Sequence, residues 1–200
     1  MKILIVSGFL GAGKTTFIKR LARNVDQRFA ILENEYGAAG IDGARLGQNR
    51  QGTQKNVWEM TEQCICCIGK KDFAASVLTI ANVVDPEYLI VEPTGVGSLA
   101  RIIENLRQIE YERIQLLSPV TIVDVYSYRR YMAEYPELYQ DQIRSADTII
   151  VSKTEACQAE EKQRIQKFLQ EINPQAKIIT DYASLSLIHI SEPTRRVVIS

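Results

Sequence analysis

The feature of this sequence that most constrains its fold is a glycine-rich stretch at residues 8–16, GFLGAGKTT. It fits the pattern G-x-x-x-x-G-K-[ST], in which glycines let the backbone turn around a phosphate group. The apolar run ILIV at residues 3–6 precedes it, as expected for a strand buried on both faces, and apolar residues at helical spacing follow it. The order strand, glycine loop, helix therefore predicts a phosphate-binding P-loop.

Each part of this loop has a chemical role in binding phosphate. Successive backbone N–H groups point at the phosphates, and the following helix presents its positive dipole end. The Lys14 ammonium is expected to reach the β- and γ-phosphates, and the Thr15 hydroxyl to ligate Mg²⁺. A glycine-rich turn without a ligand is the alternative. The residues predicted to bind the nucleotide here are Gly8, Gly11, Ala12, Gly13, Lys14, Thr15 and Thr16.

The composition argues against nucleic-acid and membrane partners. The 200 residues include 24 basic and 24 acidic side chains, so no net field attracts a polyanion. No run of eighteen apolar residues occurs, and the apolar start is too short for a signal peptide. We therefore expect a cytoplasmic protein, whose cysteines are thiols or metal ligands rather than disulfides.

The last sixteen residues, 185–200, resemble a translated sequencing adapter. We therefore expect residues 1–184 to be a native domain that is cut short there, and residues 185–200 to be a non-native tail. His189, the only histidine, falls in that tail. The alternative is a real strand that ends in a proline-containing turn.

Strand and helix patterns alternate from residue 2 to residue 182. This alternation predicts an α/β fold of the P-loop NTPase type, with a mostly parallel sheet and helices on both faces. Ligands then gather at the carboxyl ends of the strands. The predicted strands are 2–7, 28–33, 88–92, 120–124, 148–152 and 177–180, and the predicted helices are 14–24, 71–82, 98–109, 138–145 and 159–171.

Two of these strand ends carry residues suited to nucleotide chemistry. The run LIVEPTG places Glu92 where GTPases hold a carboxylate for the Mg²⁺ shell, and Gly95 where a glycine N–H meets the γ-phosphate. Lys14, Glu92 and Gly95 are therefore the residues predicted to take part in catalysis. Thr15 and Glu92 are the predicted Mg²⁺ ligands.

The second strand end, residues 152–155, occupies the place of a guanine-reading Asn-Lys-x-Asp tetrad. Ser152 stands for Asn, Lys153 is retained, and Glu155 stands for Asp. A carboxylate accepts hydrogen bonds from guanine N1–H and the 2-amino group, which adenine lacks, so Glu155 favours guanine. A helix-capping turn is the alternative.

Three thiols in four residues, Cys64, Cys66 and Cys67, indicate a Zn²⁺ or Cu⁺ site. A buried thiol cluster or a redox pair is the alternative, and Cys157 is expected to be inert. Glu33 and Glu35, after the second strand, are further candidate metal ligands, or else part of a solvated acidic turn.

Taken together, these five motifs resemble the CobW-like P-loop GTPases, relatives of the urease and hydrogenase nickel-insertion GTPases. The resemblance covers about residues 2–182, and the Cys-x-Cys-Cys between the switch regions is the family's mark. It implies slow, Mg²⁺-dependent GTP hydrolysis, the handling of metal ions such as zinc, and, by analogy, a GTP-dependent homodimer. It also implies that a smaller C-terminal domain is missing. Asp124 and Gln142 sit where the family carries Asp and Gln.

Three positions depart from the family pattern. Ala38 stands where the family usually has an acid, Gln63 replaces the glycine usual before the cysteines, and Ser152 weakens the base site.

The leading hypothesis is GTP turnover coupled to delivery of zinc or another transition metal, or to cofactor assembly, for an unidentified client metalloprotein. A nucleotide-dependent regulator with structural zinc is one alternative, and a P-loop kinase or biosynthetic ATPase is another. The cysteine cluster and residues 152–155 argue against the kinase.

Overall fold

The structure is a computed structural model that describes residues 1–23, 28–33, 57–61 and 70–181. The strands are β1 (Lys2–Gly8), β2 (Phe29–Glu33), β3 (Val57–Thr61), β4 (Tyr88–Glu92), β5 (Gln115–Leu116), β6 (Val120–Asp124), β7 (Thr148–Ser152) and β8 (Lys177–Ile179). The helices are α1 (Lys14–Arg23), α2 (Lys70–Val83), α3 (Leu99–Arg107), α4 (Tyr128–Glu134), α5 (Pro136–Arg144) and α6 (Ala159–Ile172).

These strands form one sheet in the order β3-β2-β4-β1-β6-β7-β8, with β5 paired to β1. Every strand pairing in the described part of the chain is parallel. β1 lies in the middle, so the loop that follows it emerges between the ends of β4 and β6. Glu92 and Asp124, the last residues of those two strands, therefore flank the loop.

Both faces of the sheet are covered, because alternate residues of β1 belong to two different cores. Ile3 and Ile5 pack in the core beneath α2, α3, α5 and α6, whereas Leu4 and Val6 pack in the core beneath α1. This arrangement confirms the predicted α/β fold with a parallel sheet and helices on both sides. No helix of the described residues is both long and apolar enough to cross a bilayer.

The sequence prediction missed three elements: β3, the two-residue β5, and α4. β3 pairs only with β2 in the described sheet and carries the polar residues Glu59 and Thr61, so it lacks the continuous apolar run of a strand buried on both faces. α5 begins two residues earlier than predicted, with Pro136 in its first turn, where a missing N–H costs nothing. The other predicted boundaries agree with the structure within two residues where both ends are described.

Several predictions fall outside the described residues. They concern Glu35, the departures at Ala38 and Gln63, the cysteine cluster, and the tail at 185–200 with His189.

Candidate functional site

Three glycines of the P-loop adopt backbone conformations that other residues rarely take. The φ angles are +144° at Gly8, +72° at Gly11 and +99° at Gly13. A Cβ at Gly8 would also lie 2.5 Å from the carbonyl oxygen of Ile122 on β6, whereas one at Gly11 would meet nothing within 4 Å. Conformation alone therefore requires glycine at position 11, and both conformation and space require it at position 8.

Aromatic side chains of α4 and α5 contact the P-loop at Phe9 and Leu10. The Phe9 ring is buried, with its centroid 4.7 Å from that of Tyr131 and 5.0 Å from that of Tyr139. The Tyr131 hydroxyl also donates a hydrogen bond of 2.9 Å to the Leu10 carbonyl oxygen. Sequence reasoning did not find this anchor, because Phe9 and Leu10 occupy unspecified positions of the motif and α4 was not predicted.

The predicted phosphate-binding and Mg²⁺-binding side chains lie together at the start of α1. The Lys14 Nζ is 3.4 Å from the Phe9 carbonyl oxygen and 4.0 Å from Glu92 Oε1. The Thr15 hydroxyl is 3.2 and 3.4 Å from the two carboxylate oxygens of Glu92. Burial lowers the pKa of Lys14, and the Glu92 charge acts in the opposite direction. A hydroxyl beside a carboxylate is an oxygen donor set that fits Mg²⁺.

The loop between β4 and α3 lies directly against the P-loop. A Cβ at Gly95 would lie 2.7 Å from the Leu10 amide nitrogen and 3.1 Å from the Phe9 carbonyl carbon, so only glycine fits there. The buried Gln142 side chain of α5 donates to the carbonyl oxygens of Gly95 and Gly97. The structure thus places Gly95 against the P-loop, and its contact with a γ-phosphate stays a prediction.

Residues 152–154 connect the predicted base site to the P-loop and to neighbouring strands. The Ser152 hydroxyl donates to the Ala12 carbonyl oxygen over 2.6 Å, and the Thr154 hydroxyl donates to the Thr180 carbonyl oxygen over 2.8 Å. Glu155 follows this turn and is exposed to solvent. Ser152 therefore links the two loops of the site, a contact that the sequence alone did not indicate.

Asp124 holds the same turn from the end of β6. Its Oδ2 accepts a 2.7 Å bond from the Lys153 ammonium, and its Oδ1 accepts the Tyr126 N–H over 2.9 Å. Lys153 itself has a φ of +60°. Burial acts to raise the pKa of Asp124, but bonds from Lys153, Tyr126 and Ser127, with the Lys153 charge, together hold that pKa below its ordinary value.

The structure does not test the predicted transition-metal site. Cys64, Cys66, Cys67 and Glu35 lie outside the described residues; Glu33 ends β2 as the register partner of Glu92, with its side chain not described. Among the side chains that the structure describes, no group of three metal-binding types is placed to hold an ion. The cysteine site therefore stays a prediction.

Comparison with known proteins relates this site to a nucleotide-binding family. Residues 2–180 match the family model described as CobW/HypB/UreG, nucleotide-binding domain. The zinc chaperone YeiR of Escherichia coli strain K12 is 31% identical over 170 residues, which are 84% of this chain and 51% of YeiR. The chain thus spans about half the length of that relative.

Solved structures show the same fold. The Zn(II)-bound YjiA GTPase from E. coli is similar with a TM-score of 0.70 and 22% identity, over 96% of this chain and 61% of that one. The hydrogenase maturation factor HypB from Archaeoglobus fulgidus is similar with a TM-score of 0.58 and 20% identity, over 90% of this chain and 80% of that one.

Replacing Gly95 by Ala should push the loop between β4 and α3 away from the P-loop, because the new methyl group would overlap the Leu10 backbone. Overpacking of this kind typically costs about 1–3 kcal/mol of unfolding free energy, which urea denaturation measures. Val96→Ala, at the exposed neighbouring position, is the control and should change the unfolding free energy by less than about 0.5 kcal/mol. Equal effects of the two substitutions would contradict the close contact at Gly95.

Replacing Asp124 by Asn should lower the unfolding free energy at neutral pH by about 1 kcal/mol, because the charged bond to Lys153 is lost. The folded-state pKa of Asp124 lies below the ordinary 3.8, so its stabilisation is complete above that value and is lost as pH falls through the folded pKa. The difference between wild type and variant should therefore shrink below about pH 4 in urea denaturation.

The control is Asp147→Asn, which removes one negative charge from an exposed side chain. If wild type and Asp124→Asn differ in unfolding free energy by the same amount at pH 3 and at pH 7, the Asp124 carboxylate contributes nothing to stability through its charge.

Proposed function

Because the chain belongs to the CobW/HypB/UreG family and carries its nucleotide-binding domain, we propose that it binds GTP with Mg²⁺ and hydrolyses it slowly. We further propose that turnover is coupled to delivery of zinc or another transition metal, or to assembly of a metal cofactor. The juxtaposition of Lys14 and Thr15 with Glu92, at the carboxyl ends of β1 and β4, is the observation that carries the proposal.

The phosphates would bind to the P-loop. The loop glycines leave room for the backbone to approach the phosphates, and Lys14 supplies a positive charge for the β- and γ-phosphates. Gly95 would offer its N–H to the γ-phosphate from the opposite side, which fits its contact with the Leu10 backbone. Thr16 lies in the first turn of α1, and the N–H groups of that turn would also bind the phosphates.

Thr15 and Glu92 would hold the Mg²⁺, since their oxygens already lie within hydrogen-bonding distance of each other. The ion, when bound, neutralises negative charge on the phosphates.

The base would be read by Glu155. Its carboxylate would accept from guanine N1–H and the 2-amino group, and each charge-assisted bond is worth roughly 1.5–3 kcal/mol. Lys153 and Ser152 would set the geometry of this turn through their bonds to Asp124 and to the P-loop carbonyl of Ala12.

Zinc enters the proposal from the sequence and from the relatives. YeiR is named a zinc chaperone, and YjiA is a GTPase with Zn(II) bound in its crystal structure. Cys64, Cys66 and Cys67 would bind the metal as thiolates, with Glu33 or Glu35 as further ligand candidates. The client would be a metalloprotein in the cytoplasm, and a second copy of this chain would be a GTP-dependent partner.

Two other functions would use the same P-loop. A kinase or biosynthetic ATPase needs an acceptor substrate and no guanine preference, and a regulator with structural zinc needs no metal transfer. The position of residues 152–155 beside the P-loop favours a guanine-binding role for that segment, which argues against the kinase or biosynthetic ATPase. Nucleotide turnover and zinc binding, measured as follows, separate all three.

Wild-type protein should hydrolyse GTP with Mg²⁺ in preference to ATP, and Lys14→Ala should abolish measurable turnover. Removing one preorganised charge contact costs about 2.7–4 kcal/mol of transition-state stabilisation, which is about a hundred- to a thousandfold in kcat. Phosphate release is the measurement. Lys19→Ala, an exposed lysine on the same helix, is the matched control and should keep wild-type turnover. Equal rates for Lys14→Ala and wild type would reject the phosphate site, and equal rates with ATP would favour the kinase or ATPase.

The cysteine cluster should bind one Zn²⁺ per chain, and affinity should fall as pH drops because thiolate ligands must lose their protons. A chromogenic chelator titration would compare wild type with the triple Cys64→Ser, Cys66→Ser, Cys67→Ser variant, using Cys157→Ser as the control. Binding that survives the triple substitution would remove the site from these residues. Binding that is identical with GDP and with a non-hydrolysable GTP analogue would favour the structural-zinc regulator.

A further inference from the structure

A helix outside the P-loop motif, α5, makes side-chain hydrogen bonds to the loop that follows β4. The Gln142 side chain of α5 donates from Nε2 to the Gly95 carbonyl oxygen over 3.1 Å and to the Gly97 carbonyl oxygen over 3.0 Å. Both donors of its amide are thus directed at one short turn. The turn closes on itself through a 3.0 Å bond from the Gly97 N–H to the Thr94 carbonyl oxygen.

The neighbouring residue, Asp141, holds the segment that follows. Its Oδ2 accepts the Leu99 N–H over 2.7 Å and the Ala100 N–H over 3.4 Å, in the first turn of α3. A carboxylate at a helix N-terminus satisfies N–H groups that have no partner within the helix. Consecutive residues of α5 therefore bind the carbonyls of the turn and the amides just after it.

The Gln142 side chain is buried in the protein interior and is not exposed at the surface. Gln142 also accepts the Thr121 hydroxyl of β6 at its backbone carbonyl oxygen, over 2.9 Å. Its own Oε1 is buried without a hydrogen-bond partner among the described atoms, which costs stability. An apolar side chain of similar length would avoid that cost. What the position gains from glutamine is therefore the pair of N–H donors.

The turn that Gln142 holds is the one pressed on the P-loop at Gly95. The Gly95 N–H shares its peptide plane with the Thr94 carbonyl, and the bond from Gly97 fixes that carbonyl. Fixing Gly97 through Gln142 therefore also limits how the Gly95 N–H can rotate.

We propose that Asp141 and Gln142, the α5 clamp, are positioning residues that fix the turn of residues 94–97 against the P-loop. The clamp orders the Gly95 N–H before nucleotide arrives, so that a γ-phosphate meets a donor already in place. It thereby sets how strongly the protein distinguishes GTP from GDP. This last step rests on the proposed function, whereas the ordering of the turn does not.

The first experiment tests the ordering without nucleotide. In Gln142→Met, which keeps the length of the side chain and removes its donors, amide hydrogens of residues 97–101 should exchange at least tenfold faster than in wild type. The matched control is Asn173→Ala. Asn173 is a buried amide that donates to carbonyls at Ile143 and Ala146, at the end of the same helix, without touching the turn.

Exchange at residues 97–101 should stay within twofold of wild type in Asn173→Ala. Wild-type exchange in a folded Gln142→Met would overturn the clamp, and so would equal acceleration in the control. Should Gln142→Met not fold, Asp141→Ala decides in its place. This substitution removes the carboxylate that accepts the Leu99 N–H in a partly buried hydrogen bond.

The second experiment measures dissociation constants for GDP and for a non-hydrolysable GTP analogue. The preference for the analogue should fall about tenfold in Gln142→Met, with GDP affinity within twofold of wild type, and should be unchanged in Asn173→Ala. A wild-type preference retained in Gln142→Met would reject the role of the clamp in nucleotide discrimination. A wild type that binds neither nucleotide would reject the proposed function, and the exchange rates would still decide the clamp.

Discussion

The P-loop backbone is confined on several sides by groups from other elements, and the rest of the site depends on that confinement. The Ile122 carbonyl leaves no room for a side chain at Gly8, and the Leu10 backbone leaves none at Gly95. Ser152 binds the Ala12 carbonyl from the strand beyond β6. A loop held in this way needs little reorganisation to surround an anion, which is the physical basis of preorganised binding.

The charges of the site are arranged in pairs, and the pairs differ in what they contribute. Lys14 is buried, so desolvation disfavours its charge, and the nearby Glu92 carboxylate offsets part of that cost. The Lys153–Asp124 pair is half exposed on the lysine side, so its charge contributes no more than about 1 kcal/mol to stability. Its larger effect is geometric, because the bond fixes a lysine whose φ is +60° at the turn before Glu155.

How much the sequence could predict follows from how local each determinant is. The P-loop and the strands at 88–92, 120–124 and 148–152 were predictable, because a short motif and continuous apolar runs encode them. α4 was not, since its tyrosines and arginines give no apolar stripe, and its packing on Phe9 is a tertiary contact. Likewise the bonds from Gln142 to Gly95 and Gly97 span more than forty residues, and local pattern carries no signal for them.

Strand β6 supports both halves of the site. Thr121 binds the backbone of α5 at Gln142, the Ile122 carbonyl confines Gly8, and Asp124 holds Lys153. All five residues of β6 are buried, and a close-packed strand of this kind has little freedom to shift. The P-loop and the turn at residues 152–155 therefore share one rigid support. The turn at residues 94–97 and the start of α3 are held differently, by side-chain hydrogen bonds from α5 rather than by the hydrogen bonds of a strand pairing.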